Sequence, residues 1–465
     1  MLVIISDIHL TDNAANKTIP AQAFRVFRER LRDMAYDASW RADGTYRPIE
    51  QLDLVLLGDI LDVIRSERWP NLEERDPACV RPWSDPESSL FRSKLDEIIR
   101  AILDANEPAL EVLRSLRSPE VMTLPPATDR GGVARVSREP DSPQRVPVRV
   151  RIHYVAGNHD WFLGLPGPAF DQIRQQIIER MGLDQPAGQP FPYQPEDSPV
   201  LARLCEEHRV YLRHGDYFDV LNFHGDRRKS SIGDAIVIDL LNRFCTIVAR
   251  QLGPELPEEC LAGFEQIDHV RPLLLAPMWV DSLLRRTCVD PELSEKVKKI
   301  WDQVADRFLQ MRFVRDCALY LPPLTLDKMA IALKFSKGLS LHVLAQLFSW
   351  FSENMPCANE RPTAEDALSE RAFKNRRAHA IIYGHTHQQE LVPLNTYPTP
   401  TGYVQQIYAN TGTWRVLNRR VLLQRDPPDF ISHWVMTYVG VYRGDERGGR
   451  PFETWSGSLA LPASG

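Results

Sequence analysis

Short apolar runs alternate with amphipathic stretches along much of the chain. A short apolar run between polar segments is typical of a strand that is buried on both faces. Between the runs, apolar residues recur at helical spacing, as Phe24, Phe27, Leu31 and Met34 do. This alternation predicts an α/β sheet with covered faces. The predicted buried strands are Leu2–Ser6, Leu54–Leu57, Val150–Val155, Val210–Arg213 and Ala380–Tyr383.

The same patterns place helices between these strands and add strands near the C-terminus. Helical spacing covers Ala21–Tyr36, Leu95–Leu116 and Phe170–Met181. In contrast, Tyr403–Tyr408 and Trp434–Tyr442 alternate between apolar and polar residues, which indicates further strands.

Between residues 225 and 378 the pattern becomes almost entirely helical. Because strand-like segments lie on both sides, we interpret residues 225–378 as a helical insertion, or cap, in a core formed by residues 1–224 and 379–465. Its helical stretches are Ile232–Leu252, Pro291–Phe308 and Leu326–Phe351. The last is so apolar that we expect buried core, with a lipid-facing groove or a partner interface as the alternatives.

The composition is that of a globular protein with long loops. Of the 465 residues, 43% are hydrophobic and 25% charged, close to the average of folded domains. The formal net charge of -6 excludes a general attraction to nucleic acid or anionic lipid, although a local basic patch could bind either. The 36 prolines predict extended loops, above all at residues 118–147 and 184–199.

Cysteine usage and apolar segments indicate a cellular location. The seven cysteines form no C-x-x-C pair and fit neither a zinc ribbon nor a disulfide scaffold, so reduced thiols are expected. The N-terminus lacks the basic segment of a signal peptide. The longest charge-free apolar stretch, residues 338–352, is shorter than the roughly 20 residues of a transmembrane helix. We expect a soluble, cytoplasmic protein.

Five short polar clusters each follow a predicted strand. Open α/β sheets bind ligands at the carboxyl ends of their strands, so these clusters are expected to converge in one crevice. Glycine recurs among them because the backbone must turn sharply there. The clusters are Asp7-Ile8-His9, Gly58-Asp59-Ile60-Leu61-Asp62, Gly157-Asn158-His159-Asp160, His214-Gly215-Asp216 and Gly384-His385-Thr386-His387.

Each cluster alone has a simpler interpretation, namely a capping aspartate or a surface histidine. The whole set, in this order and each behind a strand, is hard to obtain by chance. A second His-Gly-Asp begins at His224, but only His214 directly follows an apolar strand pattern, so we favour His214. His153, inside a strand, and His342, on an apolar helix, are interpreted as structural residues.

The series D-x-H, G-D-x-x-D, G-N-H-D, H-G-D and G-H-T-H resembles the calcineurin-like metallophosphoesterase family. The resemblance spans Asp7 to His387 and covers the core rather than the insertion. It implies a four-layer α/β/β/α sandwich with two metal ions at the carboxyl edge of the sheet. Mixed Asp, Asn and His ligands suit Mn²⁺, our first expectation, and also Fe or Zn²⁺. Two such ions lower the pKa of a shared water, and the resulting hydroxide attacks the phosphorus.

Carried over by motif, the resemblance implies a ligand set for each ion. Asp59 would bridge the two ions, because nearby dications repel unless an anion lies between them. One ion would be held by Asp7, His9, Asp59 and His387, and the other by Asp59, Asn158, His214 and His385.

The remaining motif residues are expected to act on the substrate or on each other. His159 would protonate the leaving oxygen or stabilise charge in the transition state rather than bind metal. Asp160 would orient His159. Asn158 can ligate through oxygen and donate its NH₂ group to a phosphate oxygen. Asp62 either supports the site or caps a helix.

Further stretches narrow the resemblance to one branch of the family, that related to UDP-2,3-diacylglucosamine pyrophosphohydrolase. They are His214–Asp219, Ile232–Asp234, Leu240–Arg243 and Tyr408–Trp414. Enzymes of this branch cleave a nucleotide–lipid pyrophosphate and hold acyl chains in a helical insertion. This chain differs in its longer insertion and in carrying His159 where that enzyme has arginine. The G-N-H-D form is shared with phosphodiesterases, phosphatases and nucleases.

The leading hypothesis is therefore a dinuclear-metal phosphoesterase acting on a phosphodiester or pyrophosphate, with a nucleotide- or lipid-linked substrate as its sharper form. The insertion could also touch a membrane surface. One alternative is a metal-dependent nuclease in DNA repair or defence, which would use basic runs such as Arg227–Lys229. Another is a catalytically silent binding scaffold, against which the complete ligand set argues.

Overall fold

The computed structural model describes residues 1–13, 19–70, 76–271, 275–287, 289–317, 364–400, 402–420 and 430–458. The strands in chain order are β1 (Leu2–Ile5), β2 (Gln51–Leu57), β3 (Thr123–Leu124), β4 (Val146–Pro147), β5 (Arg149–Val155), β6 (Val210–Leu212), β7 (Val270–Arg271), β8 (Ala380–Tyr383), β9 (Glu390–Thr399), β10 (Gly402–Asn410), β11 (Val416–Arg420), β12 (Phe430–Val441) and β13 (Phe452–Ser458). The helices are α1 (Ala21–Ala38), α2 (Ser89–Ala105), α3 (Glu107–Ser115), α4 (Pro168–Met181), α5 (Pro199–His208), α6 (Ile232–Ala235), α7 (Arg243–Leu252), α8 (Glu258–Phe264), α9 (Ala276–Arg286), α10 (Pro291–Gln310), α11 (Arg312–Cys317), α12 (Ala364–Ser369) and α13 (Arg371–Lys374).

Two sheets form the core. The larger has the strand order β5-β2-β1-β12-β11-β7, and β13 also pairs with β12. Strands β1, β2 and β5 are parallel, whereas β12 runs antiparallel to β1. The smaller sheet has the order β6-β8-β10-β9, with β6, β8 and β10 parallel. The prediction of a mixed α/β fold is confirmed.

The alternation of side chains along β1 shows how the layers pack. Val3 and Ile5 point to one side, into an apolar cluster that includes residues of α1 to α4. Leu2 and Ile4 point to the other side, into a cluster with Leu212 and other residues of the smaller sheet. A third cluster joins the smaller sheet to α12 and α13. Burial on both faces explains why these strands are continuous apolar runs.

Most sequence-predicted elements are present, but the helix predicted over Leu95–Leu116 is wrong as a single element. The chain forms α2 and α3, which meet at Asn106. Pro108, which lies in the first turn of α3, has no N–H group and therefore cannot make the hydrogen bond to the carbonyl oxygen of Asp104 that would continue α2. The Asn106 side chain stabilises the break by donating to the carbonyl oxygens of Thr11 and Ile102, at 2.8 and 2.7 Å.

The described part of residues 225–378 is mostly helical, and it is tied to the core. Helices α6 to α11 form their own apolar cluster, which also contains Phe430 of β12. A π-helical segment, Ile236–Asn242, joins α6 to α7. Strand β7 lies inside the insertion and pairs in parallel with β11, so it extends the larger sheet. The predicted helix Leu326–Phe351 lies outside the described residues, as does His342.

The proline-rich segments are mostly irregular, as predicted. Residues 118–147 contain the short β3–β4 ladder and an isolated bridge between Ala127 and Val133. Residues 184–199 contain a 3₁₀ turn at Pro195–Asp197 before α5 begins. The cysteines in the described part of the chain, at positions 79, 205, 245, 260 and 317, are free thiols. Across the described residues, no helix combines the length and apolar character needed to span a membrane.

Candidate metal centre

The five polar clusters of the sequence meet at the carboxyl ends of β1, β2, β5, β6 and β8. Backbone hydrogen bonds tie the loops together. Asp7 N donates to the carbonyl oxygen of Gly58 at 3.1 Å, and Gly384 N donates to that of His214 at 2.7 Å. The amide of His385 donates to Asp7 Oδ2 at 3.0 Å, which joins the loops of the two sheets.

The backbone is strained where the candidate ligands lie. Five of these residues have φ values between 51° and 72°, in the left-handed region that side chains with a Cβ rarely adopt. Such conformations persist only where surrounding structure imposes them, and they concentrate at functional sites. The five residues are Asp7, His9, Asp59, His385 and His387.

Two glycines permit close approach of the loops. A Cβ atom on Gly157 would lie 2.3 Å from Asp59 Oδ1, and one on Gly58, which has φ +82°, would lie 2.5 Å from the His214 ring. Any larger residue at these positions would displace a candidate ligand.

One group of ligand atoms consists of Asp7, His9 and His387. Nε2 of His387 lies 3.3 Å from Asp7 Oδ1 and 3.0 Å from His9 Nε2. Asp7 Oδ1 is buried and has no hydrogen-bond partner among the described residues, whereas Oδ2 accepts from the amide of His385 at 3.0 Å. One carboxylate oxygen and two imidazole nitrogens thus face a common point.

A second group consists of Asp59, Asn158, His214 and His385. His214 Nε2 lies 3.2 Å from both Asp59 Oδ2 and Asn158 Oδ1. His385 Nδ1 lies 3.0 Å from the same Asn158 oxygen. Asp59 Oδ2 is also 3.8 Å from His9 Nε2 of the first group. Asp59 therefore lies between the two groups, as expected for a bridging carboxylate.

The hydrogen-bond pattern of the histidines shows that these groups fit a cation. His214 Nδ1 must donate to the Leu57 carbonyl oxygen 2.9 Å away, since that oxygen can only accept. In the neutral ring, Nε2 then carries a lone pair that faces two oxygen acceptors. His385 is arranged in the same way, because Nε2 contacts Asp219 Oδ2 at 2.9 Å and Nδ1 faces Asn158. Lone pairs that face acceptors require a proton or a metal ion between them.

The electrostatics agree with this geometry. Burial opposes the charged form of His214, but the carboxylates of Asp59 and Asp7 outweigh burial and raise the pKa of the imidazole to about 10. Burial likewise favours protonated Asp59, yet His214 and His159 hold the pKa of this carboxyl well below its usual range. The site therefore stabilises positive charge among its nitrogens, which a bound cation can supply instead of a proton.

His159 lies beside these groups and is held by Asp62. Its Nδ1 is 2.6 Å from Asp62 Oδ1, and its Nε2 is 4.0 Å from Asp59 Oδ2. A further potential ligand group consists of His9, Asp59 and His159, so His159 lies within reach of a metal. The expectation that it binds none stays a prediction. Asp62 supports the site, since its Oδ2 also contacts His9 Nδ1 at 2.8 Å.

The expected role of Asp160 is wrong. Its carboxylate accepts hydrogen bonds from the amides of Gly157 and Ile60, at 2.6 and 2.9 Å, and from the Tyr154 hydroxyl at 2.6 Å. It thus fastens two site loops together, and Asp62 takes the expected place at His159. Burial and the charge of Asp59 raise the pKa of Asp160 to about 6.

The alternative histidines lie elsewhere. His224 is half-buried and contacts the amide of Ile232 at 3.5 Å, whereas the preferred His214 is fully buried in the cluster. His153 is bonded to Asp53 at 2.9 Å, as expected of a structural residue.

Sequence reasoning missed some supporting residues. Asp219 holds His385, and Thr413 donates to the Asp7 carbonyl oxygen at 2.7 Å. Both belong to stretches that had drawn attention only by their resemblance. No family model matches this chain, and no curated protein matches it significantly.

Proposed function

We propose that this protein is a dinuclear-metal phosphoesterase of the calcineurin-like type that hydrolyses a phosphodiester or pyrophosphate bond. The observation that carries the proposal is the convergence of two ligand groups on Asp59, with His159 held beside them. The packing of helices on the outer faces of both sheets supports the four-layer sandwich of this family.

The ligands of the first ion would be Asp7, His9, His387 and Asp59, and those of the second Asp59, Asn158, His214 and His385. Their mixed oxygen and nitrogen donors favour Mn²⁺, with Fe or Zn²⁺ as alternatives. When bound, two such ions activate a water molecule and neutralise charge on the phosphoryl oxygens.

The remaining steps fall to the side chains. Because Asp62 holds Nδ1 of His159, the Nε2 atom can deliver a proton to the leaving oxygen as its bond to phosphorus breaks and the bond from the attacking oxygen forms. Within the described part of the chain, Asn158 Nδ2 donates to Asn222 Oδ1 over a long distance, 3.3 Å. A phosphoryl oxygen can replace that contact and be oriented by the amide.

A substrate linked to a nucleotide or lipid is the finer form of the proposal. A nuclease has less support, because the basic run Arg227–Lys229 is partly paired with carboxylates of its own segment. Arg227 pairs with Asp216, and Arg228 and Lys229 with Asp226. Such pairing weakens attraction to nucleic acid phosphates.

The test compares hydrolysis of bis-p-nitrophenyl phosphate and p-nitrophenyl phosphate with Mn²⁺. Faster turnover of the diester is expected, together with a loss of roughly 10²–10³-fold or more in Asp59→Ala. Preference for the monoester would instead indicate a phosphatase. No turnover by metal-loaded protein of bis-p-nitrophenyl phosphate, p-nitrophenyl phosphate or a nucleotide–lipid pyrophosphate would contradict the proposal.

A further inference from the structure

A buried chain of charged groups leads from the candidate site into the insertion. Arg65 Nε lies 3.2 Å from Asp62 Oδ2. The same nitrogen lies 3.4 Å from Oδ2 of Asp268, which belongs to the 3₁₀ turn Ile267–His269 of the insertion. The three side chains are at most 3% exposed, so water screens their interactions little.

Asp62 connects this chain to two histidines. Its Oδ1 contacts His159 Nδ1 at 2.6 Å, and its Oδ2 contacts His9 Nδ1 at 2.8 Å. One carboxylate thus holds two rings, and its orientation determines where each Nε2 atom points. Whatever fixes Asp62 therefore also fixes the direction of the His159 proton donor.

The insertion reaches the site by two further contacts. Asn242, at the end of the π-helical segment, donates to the carbonyl oxygen of Arg65 at 3.1 Å. His269, next to Asp268, lies 2.7 Å from Arg415 Nη2, and Arg415 Nη1 donates to the carbonyl oxygen of His9 at 2.8 Å. The turn that carries Asp268 is therefore held against the site from two sides.

We propose that Asp268 is a positioning residue for His159, acting through Arg65 and Asp62. Asp268 shares the guanidinium of Arg65, which would otherwise draw the Asp62 carboxylate away from the two histidines. The insertion then completes the site rather than only covering it. The chemical role of His159 rests on the proposed function, whereas the positioning rests on the contacts alone.

The positioning is tested in the metal-free full chain by NMR of ¹⁵N-labelled histidine rings. The His159 ring N–H signal is identified by its loss in His159→Gln. Asp268→Asn is expected to shift or broaden that signal and to leave the His153 signal unchanged. The matched control is Asp281→Asn, a buried acid of the same insertion whose partner Arg285 lies on its own helix, 3.7 Å away. An unchanged His159 signal in Asp268→Asn would overturn the proposal.

Asp268→Glu separates the loss of charge from misfolding, because this variant keeps the negative charge. This variant is expected to retain the wild-type His159 signal, and Asp268→Asn is expected to retain the wild-type circular dichroism spectrum. If both variants lose the signal while folded, the charge of Asp268 is irrelevant and the proposal fails. If Asp268→Asn does not fold, a lost signal in folded Asp268→Glu overturns it, and a retained signal supports it.

A second experiment measures kcat and KM for diesters with different leaving groups in the presence of Mn²⁺. Asp268→Asn is expected to lower kcat roughly 10- to 100-fold without raising KM. The loss should be greater for a phenyl than for a p-nitrophenyl leaving group, because the poorer leaving group depends more on the proton from His159. Equal losses for both would contradict positioning of His159. If the metal-loaded wild type hydrolyses none of the substrates named under the proposed function, that function fails, and the NMR result still decides the positioning.

Discussion

Strand β2 carries one buried aspartate near its amino end and is followed by another beyond its carboxyl end. Asp53 contacts Arg151 Nε at 2.7 Å and the His153 ring at 2.9 Å. Asp62 contacts Arg65 Nε at 3.2 Å and two histidine rings at 2.6 and 2.8 Å. Both are arginine–aspartate–histidine arrangements, and both carboxylates are at most 1% exposed.

The two arrangements differ in their backbone and in what the histidines still face. Asp53 lies opposite Arg151 in the regular β2–β5 ladder, and His153 is two residues further along. Around Asp62 the chain turns through left-handed residues, and the outer ring nitrogens of His9 and His159 face Asp59 at 3.8 and 4.0 Å. An aspartate–histidine pair is therefore no sign of a site by itself. What indicates a site is a strained loop together with ring nitrogens that face further acceptors.

The largest expected difference is between the two histidines. His159→Gln should lower kcat for bis-p-nitrophenyl phosphate by about 10²–10⁴-fold, since it removes the proposed proton donor. His153→Gln should leave kcat unchanged, because that ring lies in the β2–β5 ladder. Steady-state kinetics with Mn²⁺ measure both. A comparable loss in His153→Gln would show that the two regions are not functionally distinct.

The two aspartates should differ in the same way, although the effect is smaller. Replacing Asp62 should impair the candidate site, whereas replacing Asp53 should not. Asp62→Asn keeps the size of the side chain and removes the charge that holds two rings. We expect roughly a 10- to 100-fold weaker binding of Mn²⁺, measured by calorimetric titration. Asp53→Asn is the matched control and should bind Mn²⁺ like the wild type. Equal affinity for Mn²⁺ in both variants would show that Asp62 does not position the candidate metal ligands.

A smaller effect is expected from substitution of Gly157, which lies against the Asp59 carboxylate. Gly157→Ala would place a methyl group 2.3 Å from Asp59 Oδ1, so the carboxylate must shift. Binding of Mn²⁺ should weaken by about tenfold. In Gly132→Ala the new Cβ would meet only Thr128 Oγ1, at 3.4 Å, and affinity should not change. If Gly157→Ala binds as tightly as Gly132→Ala, the loops are less rigid than their hydrogen bonds indicate.

The last difference concerns the stability of the fold, rather than the candidate site, and its pH dependence at Asp53. Burial favours the protonated carboxyl, but His153 and Arg151 outweigh burial and lower its pKa. A lowered pKa stabilises the fold above the unfolded value of about 3.9, and this contribution disappears as the pH falls through the folded value. Asp53→Asn should therefore lose about 1–3 kcal/mol of unfolding free energy at pH 7 and less at pH 3. Urea unfolding at both pH values measures this. An equal loss at both would point to packing instead of charge.

Local patterns were sufficient to predict the five strands that lead to the candidate site, and the residues that converge on it. The runs before Asp7, Asp59 and His385 are apolar because both faces of β1, β2 and β8 are buried. Each cluster then follows at the same edge of the sheets. The break at Asn106 was missed because helical periodicity continues across it, although Pro108 was a visible signal.

The supporting contacts could not be predicted in this way. Asp160 was expected to orient His159 because carboxylates commonly hold functional histidines, but its carboxylate accepts hydrogen bonds from the amides of Gly157 and Ile60. Asp62, 97 residues from His159 in the chain, takes that place. Pairing across such separations depends on loop conformation, which residue patterns do not encode.

The pairing of β1 with both β2 and β12 has a consequence for synthesis of the chain. Leu2 pairs with Asp53 on one side and with Val441 on the other. During translation one edge of β1 therefore stays unpaired until residues near 440 have left the ribosome. His9 and His387 are likewise 378 positions apart. Contacts this distant form late and slowly, so the candidate metal centre cannot assemble before the residues up to His387 have been made.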